Sequence, residues 1–86
     1  MNVQQAGTIE SSDCLITVKT HDGLKIVIES TVFDAFGEQI YDVIKKTLDE
    51  HLVSNIYVHV QDKGALDYAI EARLITALKR LGVIHA

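Results

Sequence analysis

Residues 14–29, CLITVKTHDGLKIVIE, decide the fold, because apolar and polar side chains alternate on both sides of an Asp-Gly pair. Alternation of this kind is typical of a strand with one buried face. Asp-Gly between two such runs is the strongest short signal for a tight turn. The stretch therefore predicts two strands, 14–20 and 24–29, which pair as an antiparallel hairpin.

The rest of the chain predicts two helices and a third strand. Apolar residues recur at intervals of three and four up to about Leu52, after a candidate N-cap at Ser30 or Thr31. Residues 55–61 alternate again, and a second helical pattern ends at Gly82. The predicted helical stripes are Phe33, Phe36, Ile40, Val43, Ile44 and Leu48 in the first helix, and Leu66, Ile70, Leu74, Ala77, Leu78 and Leu81 in the second.

The element order strand-strand-helix-strand-helix predicts an α+β fold, with both helices on one face of a three-stranded mixed sheet. Because the third strand returns through a helix, we expect it to run parallel to the second. It could lie beside the first strand, as in a split arrangement, or beside the second, and we favour the split order. Thr8-Ile9-Glu10 could add a fourth, short edge strand after a loose start at residues 1–6. Residues 1–86 are expected to form one domain.

Composition excludes several classes of partner. The net charge is −4, whereas nucleic-acid binding needs a Lys/Arg stripe. No apolar run approaches the ~20 residues that span a bilayer, and the first residues lack a signal-peptide pattern. The single cysteine, Cys14, cannot form an internal disulfide. These features predict a cytoplasmic protein without membrane or nucleic-acid partners.

Metal and catalytic sites are not indicated. The four histidines have no metal-ligand spacing, and a single cysteine makes no zinc motif. Cys14 is interpreted as a small core residue. No acid-base pair is clustered in the sequence, so a non-catalytic protein is expected. The histidines are His21, His51, His59 and His85.

The tetrapeptide Glu10-Ser11-Ser12-Asp13 stands between two apolar stretches. Ser and Asp favour turns, because their short side chains bond to nearby backbone groups. No His, Lys or Cys-His pair lies nearby in sequence to activate a hydroxyl for attack. An exposed serine that is not activated is better interpreted as an attachment point than as a nucleophile.

Two stretches also resemble a known family. Residues 6–13, Ala-Gly-Thr-Ile-Glu-Ser-Ser-Asp, resemble the amino-terminal motif of the acyl carrier protein (gamma chain) of citrate lyase. Residues 62–67, Asp-Lys-Gly-Ala-Leu-Asp, followed by residues 72–74, Ala-Arg-Leu, are similar to the same family near its carboxyl end. The resemblance implies that Ser11 carries 2'-(5''-phosphoribosyl)-3'-dephospho-coenzyme A through a phosphodiester. Ser12, where members often have Gly, is the second choice.

The resemblance also implies a reaction and partners. In the family the prosthetic thiol carries acetyl, an alpha subunit exchanges it for citrate, and a beta subunit cleaves the product to oxaloacetate. A transferase attaches the group and a ligase acetylates it. Asp62, Lys63, Gly64 and Asp67 would then be a docking surface for partner subunits. The structural alternative is a strand-to-helix turn, with Asp62 as N-cap and Asp67 favourable in the first helical turn.

Two other functions stay open. One is an acyl carrier of the malonate decarboxylase type, which also attaches its group at a serine turn, although the stretch at residues 62–67 favours citrate lyase. The other is a small interaction domain without a prosthetic group. If an arm is present, Glu10 and Asp13 would repel its phosphates and keep it off the protein surface.

Overall fold

The computed structural model describes residues 2–85, which form four strands and two helices. The predicted α+β class and the order of the elements are confirmed, with a fourth strand at the amino-terminal side. The elements are β1 (Val3–Gly7), β2 (Cys14–Thr20), β3 (Lys25–Ser30), α1 (Phe33–Glu50), β4 (Ile56–Asp62) and α2 (Asp67–Leu81). Neither helix within residues 2–85 has the length and apolar content needed to cross a bilayer.

The sheet has the order β1-β2-β4-β3, so the predicted hairpin between β2 and β3 is wrong. The chain does reverse at Asp22-Gly23, but β4 lies between the two strands. The start of β4 bonds to this turn, where Asn55 accepts hydrogen bonds from the backbone N–H groups of His21 and Gly23. Because β4 has the apolar face Ile56, Val58 and Val60, the central position buries its side chains and satisfies both of its edges.

The third predicted strand does lie beside the first, as favoured, but it also lies beside the second, because β4 separates the two. Strand β4 pairs antiparallel with β2, from Cys14 opposite Asp62 to Thr20 opposite Ile56. It also pairs parallel with β3, as the helical connection predicts. Because β2 and β4 are in register at the end that includes Cys14 and Asp62, the segments just beyond them, 8–13 and 63–66, lie side by side.

The edge strand is displaced from its predicted position. The predicted loose start spans residues 1–6, but residues 3–7 pair antiparallel with β2, whereas Thr8-Ile9-Glu10 lies outside the strand. Gly7 ends the strand at φ +102°, and a Cβ at this position would lie 1.9 Å from the Cys14 carbonyl oxygen. The close approach of two backbones therefore requires glycine here and turns the chain away from the sheet.

Both helices cover one face of the sheet, as predicted: α2 packs on β1 and β2, and α1 packs on β3. The core between them contains the inward-facing residues of β2 and β4 together with the central part of each helical stripe. The fully buried members are Cys14, Ile16, Val18, Ile44, Leu48, Ile56, Val58, Val60, Ile70, Leu74, Ala77 and Leu78. This apolar layer is the main stabilising contribution to the fold.

The predicted capping of α1 is wrong. Ser30 belongs to β3 and Val32 occupies the N-cap position, without a side-chain hydrogen bond. The Ser30 hydroxyl accepts a hydrogen bond from the Val32 backbone and donates one to Asp62. At the other end, Leu52 has φ +58°, and Val53 N–H bonds to the Leu48 carbonyl, as in a Schellman motif. The predicted stop of α2 at Gly82 is confirmed, at φ +88°.

The amino-terminal ends of both predicted stripes are not buried. Phe33 and Phe36 of α1 and Leu66 before α2 are exposed, although their helical spacing predicts a place in the core. The ring of Phe33 lies against Gly37 of its own helix. Phe36 and Leu66 lie on the side of the molecule that carries the 62–67 stretch.

Candidate attachment site at the serine turn

Residues 10–13 form a β-turn in the loop that connects β1 to β2. Asp13 N–H donates a hydrogen bond of 3.2 Å to the Glu10 carbonyl, which closes the turn. Ser12, the third residue, has φ +65°, as in a type II turn, where glycine is preferred. Glycine, which the family resemblance leads us to expect at this position, would adopt the same conformation without strain.

Both serines of this turn are exposed, as the sequence predicts for Ser11 and Ser12. They differ in their backbones, because Ser12 has a left-handed conformation and donates its N–H to the Lys63 carbonyl at 2.8 Å. Ser11 precedes it at the tip of the turn. The hydroxyl of Ser11 is therefore presented to solvent from a turn whose next residue is fixed.

A second turn, at residues 62–65, supports the serine turn. Lys63 accepts the hydrogen bond from Ser12 N–H and donates its own N–H to the Asp13 carbonyl at 2.9 Å. These two bonds extend the β2–β4 ladder beyond the pair Cys14–Asp62. The two stretches that resemble the citrate lyase carrier, 50 residues apart in sequence, are thus joined by backbone hydrogen bonds.

The side chain of Asp13 stabilises the serine turn through hydrogen bonds to three other residues. Its carboxylate accepts hydrogen bonds from the Thr8 hydroxyl at 2.7 Å and the Cys14 N–H at 2.7 Å. Arg73 of α2 adds two more, at 3.0 Å and 3.3 Å, and so ties the turn to the helix layer. These partners, first Thr8, then Cys14 N–H and Arg73, lower the pKa of Asp13 to about 2. The carboxylate is thus ionised at neutral pH.

This arrangement changes the expected role of the two acids. The Asp13 carboxylate is engaged with Thr8, Cys14 and Arg73, whereas Glu10 is exposed on the turn. Of the pair, Glu10 alone presents an exposed carboxylate beside the serines. Any repulsion of an attached phosphate by an exposed acid of this turn would come from Glu10.

Asp62 is a structural residue at the end of β4. Its side chain accepts hydrogen bonds from the Ser30 hydroxyl at 2.8 Å and from the N–H groups of Gly64 and Ala65 at 3.1 Å and 3.0 Å. The predicted N-cap role is wrong, because α2 begins at Asp67 with Leu66 in the N-cap position. Asp62 is 2% exposed, so its carboxylate organises the turn from inside.

The other residues of the predicted docking surface are exposed. Lys63, Gly64 and Asp67 lie on the surface beside the serine turn and at the start of α2. Asp67 is in the first helical turn, as predicted, and accepts two hydrogen bonds from the Gln39 amide of α1. Docking of a partner at these residues stays a prediction.

Cys14 and His59 lie outside the serine turn. Cys14 is buried, as predicted, and burial raises the pKa of its thiol to about 11, so it is protonated at neutral pH. His59 lies on the open face of the sheet, where it contacts Glu29 of the adjacent strand. Among residues 2–85, no group of three or more His, Cys, Asp or Glu side chains is arranged to hold a metal ion.

The sequence did not indicate the supporting roles of Thr8 and Arg73. The spacing of 60 residues between Asp13 and Arg73 carries no local signal for an ion pair. Arg73 does belong to residues 72–74, which follow residues 62–67 in the second stretch that resembles the citrate lyase carrier. The resemblance therefore included Arg73, and the structure shows that Arg73 binds the Asp13 carboxylate.

Comparisons with known proteins identify the class of this chain. A family model for acyl carrier proteins, described as malonate decarboxylase delta subunit, matches residues 1–81. The chain is 53% identical over 76 residues to the citrate lyase acyl carrier protein of Halothermothrix orenii, across 87% of this chain and 81% of that protein. It is 42% identical over 74 residues to the citrate lyase acyl carrier protein of Treponema denticola, across 86% and 85%.

The chain therefore belongs to the family of acyl carrier proteins that includes these citrate lyase carriers, and the predicted resemblance is confirmed. The fold is similar to a chain in the crystal structure of a Pseudomonas malonate decarboxylase hetero-tetramer in complex with malonate, with a TM-score of 0.82. That match covers 94% of this chain and 84% of the other, at 16% identity, and it concerns the fold alone.

Proposed function

We propose that this chain is the acyl carrier subunit of a citrate lyase, and that Ser11 anchors 2'-(5''-phosphoribosyl)-3'-dephospho-coenzyme A through a phosphodiester. One observation carries the proposal: the Ser11 hydroxyl is exposed at the tip of a turn that Asp13, Arg73 and Lys63 hold in place. An exposed attachment residue in a hydrogen-bonded turn suits a group that must reach active sites on other polypeptides. The names of the relatives support the carrier role.

The residues around Ser11 fit such a group. The exposed position leaves room for a bulky substituent, and the adjoining turn contains an exposed cationic residue, Lys63. When bound, the group supplies a thiol that carries acyl groups as thioesters. The chain itself supplies position and reach, and tethering raises the effective concentration of the acyl group at partner sites. We propose no catalytic side chain and no metal for this protein.

The partners follow from the same proposal. They are the alpha and beta subunits of citrate lyase, the transferase that attaches the prosthetic group and the ligase that acetylates its thiol. The complex would act in the cytoplasm, in the cleavage of citrate to acetate and oxaloacetate. Lys63, Gly64 and Asp67 are proposed as a docking surface, since they are exposed beside the serine turn.

Ser11 is preferred over Ser12 as the attachment residue because the two residues differ in backbone conformation and hydrogen bonding. Ser12 holds the left-handed position of the turn and bonds to Lys63, a role that glycine performs equally well. Ser11 occupies a position of the turn that imposes no such demand. A relative with Gly at the position of Ser12 would keep the turn and keep a single hydroxyl for attachment.

The test is the intact mass of the protein made together with its attaching enzymes. We expect a mass increase of one prosthetic group on the peptide that holds both serines. Ser11→Ala should abolish the increase, whereas Ser12→Gly, which preserves the turn, should retain it. An unmodified wild-type chain under these conditions would indicate an interaction domain instead, and loss of the modification only in Ser12→Gly would move the site to Ser12.

A carrier of the malonate decarboxylase type is the second candidate, because the family model carries that description and the fold is similar to a chain of the Pseudomonas enzyme. The two candidates differ in their partners. The loaded protein should restore citrate cleavage to alpha and beta subunits of citrate lyase. Restoration of malonate decarboxylation alone, with the corresponding subunits, would favour the second candidate.

A further inference from the structure

An apolar groove of about 510 Å³ lies between the amino-terminal ends of α1 and α2. Its apolar walls are Val32, Phe36 and Ile40 on one side and Ala65, Leu66 and Tyr68 on the other. This volume is within the range of about 300–1,000 Å³ that is typical of small-molecule sites. The groove is therefore large enough for a ligand.

The apolar side chains of the groove are unusually exposed. Phe36 is 48% exposed, Leu66 61% and Tyr68 74%, although Phe36 and Leu66 fit the helical stripes that bury the core. Contiguous exposed apolar surface of this kind marks a binding site. Phe36 of the first stripe and Leu66 of the second meet in this groove, at one end of the helix layer.

The groove begins beside the proposed attachment point. Gly64, which lines it, is covalently bonded to Lys63, whose carbonyl accepts the Ser12 N–H at 2.8 Å. Standard bond lengths limit the path from the Ser11 hydroxyl through this hydrogen bond to the Gly64 nitrogen to about 11 Å. An arm of the length of a coenzyme A fragment, rooted at Ser11, can thus enter the groove without a change in the backbone.

The residues that line the groove match the pantetheine portion of such an arm in their chemistry. The pantetheine portion is uncharged and combines a dimethyl-substituted carbon with two amides, which suits apolar walls with a few polar groups. Gln39, Asp67 and the Tyr68 hydroxyl supply those polar groups. Because Asp62 and Asp67 also line the groove, its acidic character disfavours the phosphates, which would remain outside near Lys63.

We propose that this groove holds the pantetheine and acyl end of the arm between its visits to partner active sites, an inference that rests on attachment at Ser11. Burial there shields the thioester from water, whose attack would release a free acid and leave the thiol unloaded. The wall residues stay exposed in the protein without its arm because their partner is the arm itself.

The experiment compares the chain with and without the attached group by amide NMR. We expect the attached group to shift the backbone signals of Gly64, Leu66 and Tyr68, whereas Thr17, on the opposite side of the sheet from the helices, should not respond. The alkylation rate of the prosthetic thiol gives the second readout, against free pantetheine. A threefold slower rate corresponds to an arm that occupies the groove about two-thirds of the time.

Variants separate the possible outcomes. Leu66→Gln should restore the alkylation rate of free pantetheine, whereas Leu52→Gln, at a more exposed leucine outside the groove, should leave the slow rate unchanged. Absence of the mass increase would refute attachment itself, before the groove is tested. A loaded protein with no shifts at the groove and an unprotected thiol would overturn this inference alone. If Leu66→Gln lowers affinity for a partner subunit without any change at the thiol, the groove binds that subunit and the inference is wrong.

Discussion

Within residues 2–85, two turns place a non-glycine residue in the left-handed region, and they differ in the side-chain contacts around that residue. Ser12, at φ +65°, lies in a turn held by the Lys63 backbone and by the hydrogen bonds of Asp13. Leu52, at φ +58°, ends α1 with a side chain that is 92% exposed. At Leu52 the backbone hydrogen bonds of the Schellman motif hold the helix end, whereas the serine turn also has the side-chain hydrogen bonds of Asp13. The comparison shows that the serine turn has additional support that an ordinary helix end does without.

The largest expected effect on stability is at Gly7, the last residue of β1 before the loop that contains the serine turn. Gly7→Ala combines φ +102° with a Cβ that would lie 1.9 Å from the Cys14 carbonyl oxygen, so we expect a loss of about 3 kcal/mol or more in the free energy of unfolding. Gly23→Ala is the matched control, with φ +84° and open space around the new Cβ. It should lose about 1–2 kcal/mol, from backbone strain alone. Equal losses in urea unfolding would show that the close approach at Gly7 is unimportant.

The second effect is a pH dependence that belongs to the serine turn. The folded-state pKa of Asp13, about 2, lies below its ordinary value of 3.8, so its stabilising contribution is fully present above pH 3.8. That contribution is lost as the pH falls through about 2. Asp13→Asn should therefore lose less stability than the wild type between these two pH values. Thr8→Val removes the main cause of the lowered pKa. The stability that this variant loses over the same pH range should lie between the losses of the wild type and of Asp13→Asn.

An NMR titration of the Asp13 carboxyl carbon gives the direct check. A midpoint near 3.8 in the wild type would contradict the network of Thr8, Cys14 and Arg73 described above. The midpoint in Thr8→Val should be higher than in the wild type, because one hydrogen bond to the ionised form has been removed.

The smallest effects compare the two left-handed residues themselves. Leu52→Gly should stabilise the protein by about 0.5–1 kcal/mol, since relief of left-handed strain exceeds the entropy cost of glycine and little buried surface is lost. Ser12→Gly should gain less, about 0.5 kcal/mol or below, because the flanking hydrogen bonds already hold the turn. Thermal unfolding of both variants measures the difference. A larger gain at Ser12 would mean that its turn is more strained than its hydrogen bonds suggest.

The sequence predicted the parts of the fold that depend on local periodicity. The alternation in β2 and β4 and the central stripe of each helix correspond to the buried residues, because burial on one face imposes periods of two and 3.6. It failed where the outcome depends on distant partners. Asp22-Gly23 indicates a reversal of the chain, but it cannot indicate that β4 enters between the two strands. Residues 3–7 contain little apolar surface and become a strand because the exposed edge of β2 accepts them.

For the candidate attachment site too, the sequence predicted the local feature and not the distant contacts. Short polar residues located the serine turn, and the family resemblance selected Ser11, whose attachment role stays a prediction. The roles of Thr8 and Arg73 depend on the helix layer approaching the turn, and no local pattern encodes that approach. Asp62 was expected at a helix start, and it turns inward because the Ser30 hydroxyl and two backbone N–H groups converge on it.

The central position of β4 has a consequence for biosynthesis. During translation, β2 and β3 leave the ribosome before the strand that separates them, and they do not pair with each other in the native sheet. A nascent chain that ends before residue 56 therefore has β3 without a partner and one edge of β2 unpaired, and unpaired strand edges promote aggregation. Synthesis must therefore pass β4, Ile56–Asp62, before any part of the sheet beyond β1 and β2 can assemble.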